Sequence, residues 1–566
     1  MKQPINRRQF IVRGAAASAG LYSLTAAGAA ETNAPATRPV PVAVAKEATG
    51  AKVDESAYRV TLYVDVKGDD ARDGLTARTA LKTLGAAVAK ATESLNQGDG
   101  VRVLLAPGVY REGYIVVKGN EMTDTGRNAL LIIEGVAKGQ VTISGAVVEG
   151  WAPETWKAQA VKDGLHTYQH AWPYEFEIQK QNKPEDILIS FREMVILNGR
   201  MLKQEGAAEK LIAGCFYIDR ENKTISLTLG RELLPSDVVE IAEKESLLTV
   251  HRKNNFVLRN CDFSYCNPHI MGGKRGCLED PWGRAVEICT HDVGGGTNTN
   301  LLIEDCSFSQ HNAAGLRVIA SRDVTLRRCT ANRNGWKGMG LSGSRNVLLE
   351  DCETSYNAWR QLWSTSRFHD SGGIKIIPGS DTVTLRRHVA LSNTVTHGIW
   401  FDMNNTNVVL DECRVEGQSA PAIYFEMGRG PHLIKNCFIK NGQGIVSRAS
   451  SNFILEGNHL EADGGVLISL IEDQRSGRRP TIQGFVLRNN QLRIRQGGIF
   501  NTIGYWKQFY DTLVAERNTY AFGKAGDGGQ GFFDADRKAV SFEEWQKLGF
   551  DAGSARVAAG QPAQAE

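Results

Sequence analysis

One position recurs along the C-terminal half of the chain, each time directly after a short apolar run such as Val347-Leu348-Leu349. Most successive occurrences are 21–25 residues apart, and the longer intervals contain an extended loop. The residues at this position are Cys306, Cys329, Cys352, His388, Cys413, Cys437, Asn458, Asn490 and Asn518. Short β-rich runs with this period are typical of coils that bury their inward faces only by stacking on each other. The sequence therefore predicts an all-β fold, a right-handed parallel β-helix (solenoid).

The solenoid does not account for all 566 residues. A helix from Leu84 to about Leu95 is predicted to cap its N-terminal end, because terminal coils expose an apolar face. A tryptophan-rich segment interrupts the repeat and is predicted to form an inserted β-rich module. The predicted organisation is an export signal at 1–30, a linker at 31–57, the cap and first coils at 58–145, the inserted module at 146–250, the main β-helix at 251–525, and a C-terminal segment with a loose tail at 526–566.

The first thirty residues are predicted to be removed on export. Arg7-Arg8 precedes an apolar residue and an Ala/Gly-rich stretch, which resembles a twin-arginine signal. The whole chain has a formal charge of +3, but this segment holds four basic residues and no acidic one, so the remainder carries −1. That balance does not indicate nucleic acid or an anionic membrane as a partner. We expect a periplasmic or secreted protein without membrane attachment after signal removal, and its oligomeric state is unknown.

Ten cysteines in an exported chain raise the question of disulfides and metal sites. Recurrence at one coil position is typical of an interior row of small apolar side chains, so free buried thiols are expected there. A zinc cluster of Cys261, Cys266, Cys277 and Cys289 is an alternative, but their spacing matches no compact ligand pattern. We predict no metal in the catalytic site and no cofactor. The Asp/Gly-rich stretch 68–74 could hold structural calcium, although an ordinary turn is the simpler interpretation.

Two carboxylates lie one coil apart. Asp402 precedes Cys413 by 11 residues, and Glu426 precedes Cys437 by 11 residues. Side chains alternate along a strand, so both should point outwards on adjacent strands about 4.8 Å apart. Like charges directly opposite each other destabilise a sheet. A surface without a function would therefore seldom place two carboxylates at these positions. Retaining glycosidases use two carboxyls about 5–5.5 Å apart, whereas inverting ones need roughly 6.5–9.5 Å. The spacing therefore predicts a catalytic pair that acts with retention.

Other residues around the pair are predicted to bind substrate. Two aromatic side chains should form a surface for sugar rings, with a lysine one coil before them and an arginine one coil after. The loop 357–371 is predicted to form a wall of the cleft. The substrate-binding candidates are Trp400, Tyr424, Lys375, Arg448, His397, Arg429, Trp363 and Asp370. Glu472-Asp473 and His432 are weaker candidates, because a solvated loop and a structural histidine explain them more simply.

The segments 397–402 and 425–432, with Asn436, resemble the catalytic coils of glycoside hydrolase family 120. That family contains β-helix β-xylosidases with a retaining mechanism. The resemblance implies that Asp402, in a Gly-Ile-Trp-x-Asp motif, is the nucleophile and that Glu426, which precedes a Gly-Pro, is the acid/base. The specific match covers about 40 residues, and the inserted module is more distantly similar to family 141. A carbohydrate substrate follows from the resemblance.

Two other functions stay open. A polysaccharide lyase on the same fold would use Lys375 or another base to remove a proton next to a uronate carboxylate, with Arg448 or calcium neutralising the acid. In a non-catalytic glycan-binding solenoid, the same residues would form a row of solvated surface side chains, and Arg448 would pair with Glu426. The sequence favours the glycoside hydrolase over both.

Overall fold

Three long β-sheets wind around a continuous apolar core in the computed structural model. The structure describes residues 42–176, 191–269, 283–289, 297–360, 371–473, 482–504, 506–523 and 531–558. The predicted export signal at 1–30, Cys277, and the loop residues Trp363 and Asp370 lie outside these ranges, so their predictions stay predictions. The observed architecture confirms the predicted all-β parallel solenoid with a cap helix and an inserted module.

Sheet A has thirteen strands in the described ranges, and all of its pairings are parallel. Its strands in spatial order are Tyr58–Val64, Gly100–Leu105, Leu131–Gly135, Phe256–Arg259, Asn298–Glu304, Ser321–Arg327, Arg345–Glu350, Asp381–Arg386, Thr406–Asp411, His432–Lys435, Phe453–Glu456, Phe485–Arg488 and Leu513–Glu516. Most neighbours come from consecutive coils, so equivalent side chains stack in rows along the solenoid.

Sheet C has eleven parallel strands in the described ranges and carries the candidate site. Its strands are Ile115–Lys118, Leu248–His251, Arg284–Cys289, Ala314–Ile319, Met339–Ser342, Gly372–Ile377, His397–Asp402, Ile423–Glu426, Gln443–Arg448, Gly465–Ile471 and Gly497–Ile503. The predicted alternation is confirmed. Ile399, Phe401, Ile423 and Phe425 are fully buried in the main core, so the residues between them face away from it.

Sheet B consists of short strands in two groups, which isolated bridges through Thr330 and Glu353 connect. The first group is Gly108–Tyr110, Val141–Ser144, Asp262–Ser264 and Ser307–Ser309. The second group is Val389–Leu391, Arg414–Glu416, Phe438–Lys440, His459–Ala462, Gln491–Ile494, Thr519–Phe522 and Ala555–Ala558. The predicted ladder position lies just before this sheet. Its cysteines are buried and free, and Cys329 Sγ donates to the carbonyl oxygen of Ile303 at 3.4 Å. Cys289, outside the ladder, is disulfide-bonded.

Helices close the described solenoid at both ends. The cap helix, Leu84–Asn96, buries Leu84, Val88 and Leu95 against the first coils. Its start is fixed by the Asp/Gly-rich stretch, because the Asp70 carboxylate accepts hydrogen bonds from Lys82 N, Thr83 N and Thr83 Oγ1. The other α-helices in the described ranges are Asp124–Asn128, Trp506–Thr512 and Phe542–Lys547. The 3₁₀ turns in the same ranges are Glu55–Ala57, Ala77–Thr79, Gly119–Glu121, Pro153–Thr155 and Ala208–Lys210. None of the described helices is long and apolar enough to cross a membrane.

The inserted module forms two small sheets with a core of its own. The four-stranded sheet contains Ala146–Val147, Val195–Leu197, Arg200–Met201 and Val239–Ala242. The five-stranded sheet contains Lys157–Lys162, Leu165–Ala171, Lys203–Gln204, Cys215–Asp219 and Thr224–Leu229. Trp151, Trp156 and Trp172 fill the space between them. The buried Arg360 of the solenoid donates to the carbonyl oxygens of Phe191 and Glu193, which anchors the module to the coil before the candidate site.

Two terminal segments pack against the solenoid. Residues 42–57, the described part of the predicted linker, cross the strands of sheet A as an extended strap. Asn346 Oδ1, for example, accepts hydrogen bonds from Thr49 N at 2.7 Å and Gly50 N at 3.2 Å. At the other end, Ala555–Ala558 pairs with Thr519–Phe522, and a short hairpin of Phe532–Phe533 and Ala539–Val540 precedes it. The structure thus adds a strap and a final strand where the sequence shows no repeat.

Candidate active site

Asp402 and Glu426 are direct neighbours on sheet C. Each is the last residue of its strand, and the two are paired in parallel register. After each of these two strands the backbone turns away from the sheet, because Met403, Asn404 and Met427 adopt positive φ angles. The Asp402 side chain is 17 % exposed, whereas Glu426 is only 6 % exposed as a residue. The predicted register of this pair is confirmed, and the two carboxylates are presented side by side at one strand end.

A basic residue contacts Asp402 from the preceding coil. Lys375 Nζ lies 2.9 Å from Asp402 Oδ2 and 3.5 Å from the centroid of the Trp400 ring. The lysine is in register with Trp400, as predicted, and only its tip reaches along the strand to the carboxylate. Because Lys375 is almost completely buried, these contacts replace part of the water that its ammonium would bind in solution. The geometry therefore holds a positive charge against one of the two carboxylates.

A second basic residue follows Glu426 on the next coil. Arg448 is in register with Glu426, as predicted, and its Nε lies 2.9 Å from Asp473 Oδ2. Asp473 is buried, with a side-chain exposure of 1 %. The solvated-loop interpretation of Asp473 is therefore wrong. The sequence could have indicated this contact, because Asp473 lies two residues after Ile471, the residue that is in register with Arg448 on the next strand.

The aromatic residues beside the two carboxylates are buried, whereas a surface that binds sugar rings would be exposed. Trp400 and Tyr424 are in register on adjacent strands, as predicted, but their rings are tilted by 58° to each other, and the two residues are only 6 % and 8 % exposed. The His397 ring lies parallel to Tyr424 at 4.6 Å and edge-on to Trp400 at 5.0 Å. Val446 completes this outward-facing cluster. These rings support the strand ends that carry the carboxylates, and direct contact with substrate stays a prediction for all three.

Two other histidine and arginine candidates lie apart from this cluster. Arg429 is exposed in the loop after Glu426, where its Nε donates to Asn404 Oδ1 at 3.0 Å. His432 points into the core, with its ring 4.7 Å from both Phe425 and Phe453. Burial lowers the pKa of His432 to about 3. The suggestion that His432 contacts substrate hydroxyls is therefore wrong, because sheet A turns this side chain inwards.

Within the ranges that the structure describes, no group of three or more His, Cys, Asp or Glu side chains is arranged to hold a metal ion. The strand ends of sheet C carry two carboxylates with flanking cations. Such a pair can protonate a leaving group and attack or stabilise a carbon centre, provided that a substrate reaches both groups.

Comparison with protein families identifies the fold. The model described as "Right handed beta helix region" matches residues 222–400, 293–460 and 364–509, which together cover slightly more than half of the chain. The chain belongs to this right-handed β-helix family. The matched region includes both strands that carry Asp402 and Glu426, so the candidate site lies on the family's shared scaffold. No curated protein gives a significant sequence match.

Solved structures give the same fold at low identity. The complex of XylC with xylose aligns with a TM-score of 0.57 and 12 % identity, covering 89 % of this chain and 86 % of that one. A structure described as a glycoside hydrolase aligns with a TM-score of 0.50 and 13 % identity, covering 76 % of this chain and 96 % of that one. At such identities these similarities establish the β-helix architecture and leave the chemistry to the residues of this chain.

Proposed function

We propose that this protein is an exported glycoside hydrolase that cleaves a glycosidic bond with retention of configuration. The observation that carries the proposal is the in-register pairing of Asp402 and Glu426 on adjacent parallel strands. Strands in a sheet are about 4.8 Å apart, which is close to the 5–5.5 Å separation that retaining enzymes use. The resemblance of segments 397–402 and 425–432 to glycoside hydrolase family 120 supports the same assignment.

In the proposed reaction, the Glu426 carboxyl first donates a proton to the glycosidic oxygen while the Asp402 carboxylate attacks the anomeric carbon. The leaving group departs as an alcohol, and a glycosyl ester forms on Asp402. The Glu426 carboxylate then takes a proton from water, whose oxygen displaces Asp402 and releases the sugar. Lys375 orients Asp402 through its ion pair at 2.9 Å. Two inversions at one carbon give net retention.

The contacts of Lys375 disfavour this residue as the base in the lyase alternative. A lyase base must be uncharged before it accepts a proton. Lys375 instead contacts a carboxylate and the face of an indole ring, and both stabilise its protonated form. Export is supported by the twin-arginine motif and by the disulfide at Cys289, because disulfides persist in oxidising compartments.

The test begins with a screen of aryl glycosides and plant or algal polysaccharides, followed by NMR of the first anomer released. Asp402→Asn and Glu426→Gln should each lower turnover by orders of magnitude. Asp411→Asn is the matched control, because Asp411 lies in the same coil but ends a strand of sheet A. A 2-fluoro glycoside of the substrate should label Asp402, which peptide mass spectrometry would locate.

Three results would contradict the proposal. Turnover within about tenfold of the wild type in both variants would show that Asp402 and Glu426 are not the nucleophile and the acid/base. A first-formed anomer of opposite configuration would exclude retention. Absorbance near 235 nm during digestion of a uronate polymer would identify an unsaturated product and hence a lyase.

A further inference from the structure

A fully buried asparagine, Asn405, lies in the turn that follows the Asp402 strand. Its Nδ2 donates to the carbonyl oxygen of Asp402 at 2.9 Å and to that of Ile376 at 3.3 Å. Both partners are acceptors, which assigns the NH₂ group of the amide to this side. Ile376 lies on the preceding coil and directly follows Lys375. One side-chain amide therefore joins the two backbone segments whose side chains form the Lys375–Asp402 ion pair.

The three preceding coils carry a serine at the position of Asn405. The residues that follow Ser321, Ser344, Ser380 and Asn405 are in register on sheet A, so these four side chains occupy one position on consecutive coils. Each serine hydroxyl donates to the carbonyl oxygen of the last sheet C residue of its own coil, at 3.0–3.2 Å. Asn405 keeps the equivalent bond, to Asp402, and adds a second bond to the coil before it.

Asparagine at this position is unfavourable in one respect. Asn405 Oδ1 is buried and has no hydrogen-bond partner among the described residues. Burial of an unpaired acceptor costs free energy. A serine avoids this cost, because its single oxygen both donates and accepts; Ser344 Oγ, for example, accepts from Ser321 N at 3.3 Å. The second bond, to the preceding coil, is therefore the feature that explains the asparagine in the Asp402 coil.

The turn that Asn405 holds also contacts the Glu426 coil. Met403 N donates to the carbonyl oxygen of Glu426 at 2.7 Å. Towards the preceding coil, a backbone bond from Gly379 N to the carbonyl oxygen of Met403, at 3.2 Å, acts in addition to the Asn405 amide. A shift of this turn would move Asp402 relative to its neighbours on both sides.

We propose that Asn405 is a positioning residue, which holds the Asp402 carboxylate beside Lys375 and Glu426 for attack on the anomeric carbon. The role rests on the proposed function, because it concerns the nucleophile of that reaction. Since Asn405 is fully buried, it acts through the backbone of Asp402 and not by contact with substrate. A displacement of about 1 Å at a reacting group can lower a rate about a hundredfold, so the loss of one link should be measurable.

Two substitutions separate the two bonds of Asn405. Asn405→Ser introduces the residue of the preceding coils, which should keep the bond to Asp402 and remove the bond to Ile376. Asn405→Ala removes both bonds. We expect kcat to fall about tenfold in Asn405→Ser and further in Asn405→Ala, with KM within about twofold of the wild type. The substrate is the p-nitrophenyl glycoside with the highest turnover in the aryl glycoside screen, assayed well below the melting temperature of each variant.

The rate at which the matching 2-fluoro glycoside labels Asp402 reports on the attack step alone. This rate should fall about tenfold in Asn405→Ser. Ser344→Ala is the matched control, because it removes the equivalent bond, at 3.1 Å to the carbonyl oxygen of Ser342, in a coil that carries neither carboxylate. The control should lower the melting temperature and leave both kcat and the labelling rate unchanged.

Amide hydrogen exchange, measured by mass spectrometry on the full chain, tests the link without any substrate. The Met403 amide is bonded to the Glu426 coil, so its exchange reports on movement of the turn. Exchange in peptides that cover residues 403–405 should rise about fivefold in Asn405→Ser and stay unchanged in Ser344→Ala.

The positioning role is overturned if Asp402→Asn abolishes turnover while Asn405→Ser equals the wild type in kcat and labelling rate. It is also overturned if exchange at 403–405 does not change, or if Ser344→Ala lowers kcat equally. Retained turnover in Asp402→Asn would refute the proposed function and the positioning role with it. Raised exchange in Asn405→Ser would then still show that the amide holds the strand end, so the two failures are distinguishable.

Discussion

His388 provides a quantitative test of how burial in the solenoid controls stability. It is fully buried at the ladder position that cysteine fills in the adjacent coils, and its Nε2 is 2.9 Å from Thr354 Oγ1. Burial lowers its pKa to about 3 from an ordinary 6.5. The unfolded chain therefore binds a proton first as pH falls. Stability is complete above pH 6.5 and is lost progressively as pH falls from 6.5 towards 3.

The size of the effect follows from that pKa difference. Between pH 7 and pH 5 the folded imidazole stays neutral while the unfolded one becomes charged, which costs about 2 kcal/mol of unfolding free energy. His388→Cys removes this cost and restores the ladder residue of neighbouring coils. The variant should be less stable than the wild type at pH 8, because it loses the bond to Thr354. Its deficit should shrink by about 2 kcal/mol at pH 5.

Urea unfolding of both proteins at pH 8, 7, 6 and 5 measures this difference. Cys437→Ala is the control at the same ladder position. Burial raises the pKa of Cys437 well above its usual range, so the thiol does not titrate between pH 5 and 8. A difference between wild type and His388→Cys that stays constant from pH 7 to pH 5 would refute the reasoning, since it would mean that His388 gains its proton equally in both states.

Two further predictions concern the strap and the cation beside Glu426. Asn346→Ala should raise the amide exchange rate of Thr49 about fivefold, because the 2.7 Å bond to the strap is lost and each such bond contributes roughly 1 kcal/mol. If exchange measured by mass spectrometry is unchanged across residues 42–57, other contacts hold the strap. Asp473→Asn should lower kcat/KM about tenfold, because Arg448 loses its ion pair with Asp473 and can move towards Glu426. Full activity in steady-state assays would show that the Arg448–Asp473 ion pair is only structural.

The solenoid was predictable because its information is local and repeated. The spacing of Cys306, Cys329 and Cys352 sets the coil length, and alternation along each strand separates inward from outward residues. These two rules also placed Asp402 beside Glu426 and Lys375 beside Trp400, and the register confirms both pairings. Wherever a residue belongs to a coil, its neighbours on the adjacent coils follow from simple counting.

The contacts that the sequence did not indicate are those outside the coil period. The strap lacks a repeat, and its partner Asn346 lies almost 300 residues away, so only the folded chain brings them together. The burial of Asp473 and Tyr424 likewise depends on packing above the sheet, which strand alternation does not describe. Alternation states which face a residue occupies, but not whether another segment covers that face.

The coil spacing also constrains the chemistry that this scaffold can support. The outward row through Asp402 continues on the following coils through Glu426, Arg448 and Ile471. Two carboxylates on adjacent coils are separated by about one strand spacing, which suits direct attack on the anomeric carbon. Two carboxylates separated by an intervening coil would be roughly 9–10 Å apart, which leaves room for a water and suits inversion. If the proposed function is correct, adjacency of the two carboxylates predicts that the anomer released first has the configuration of the substrate, whichever sugar is cleaved.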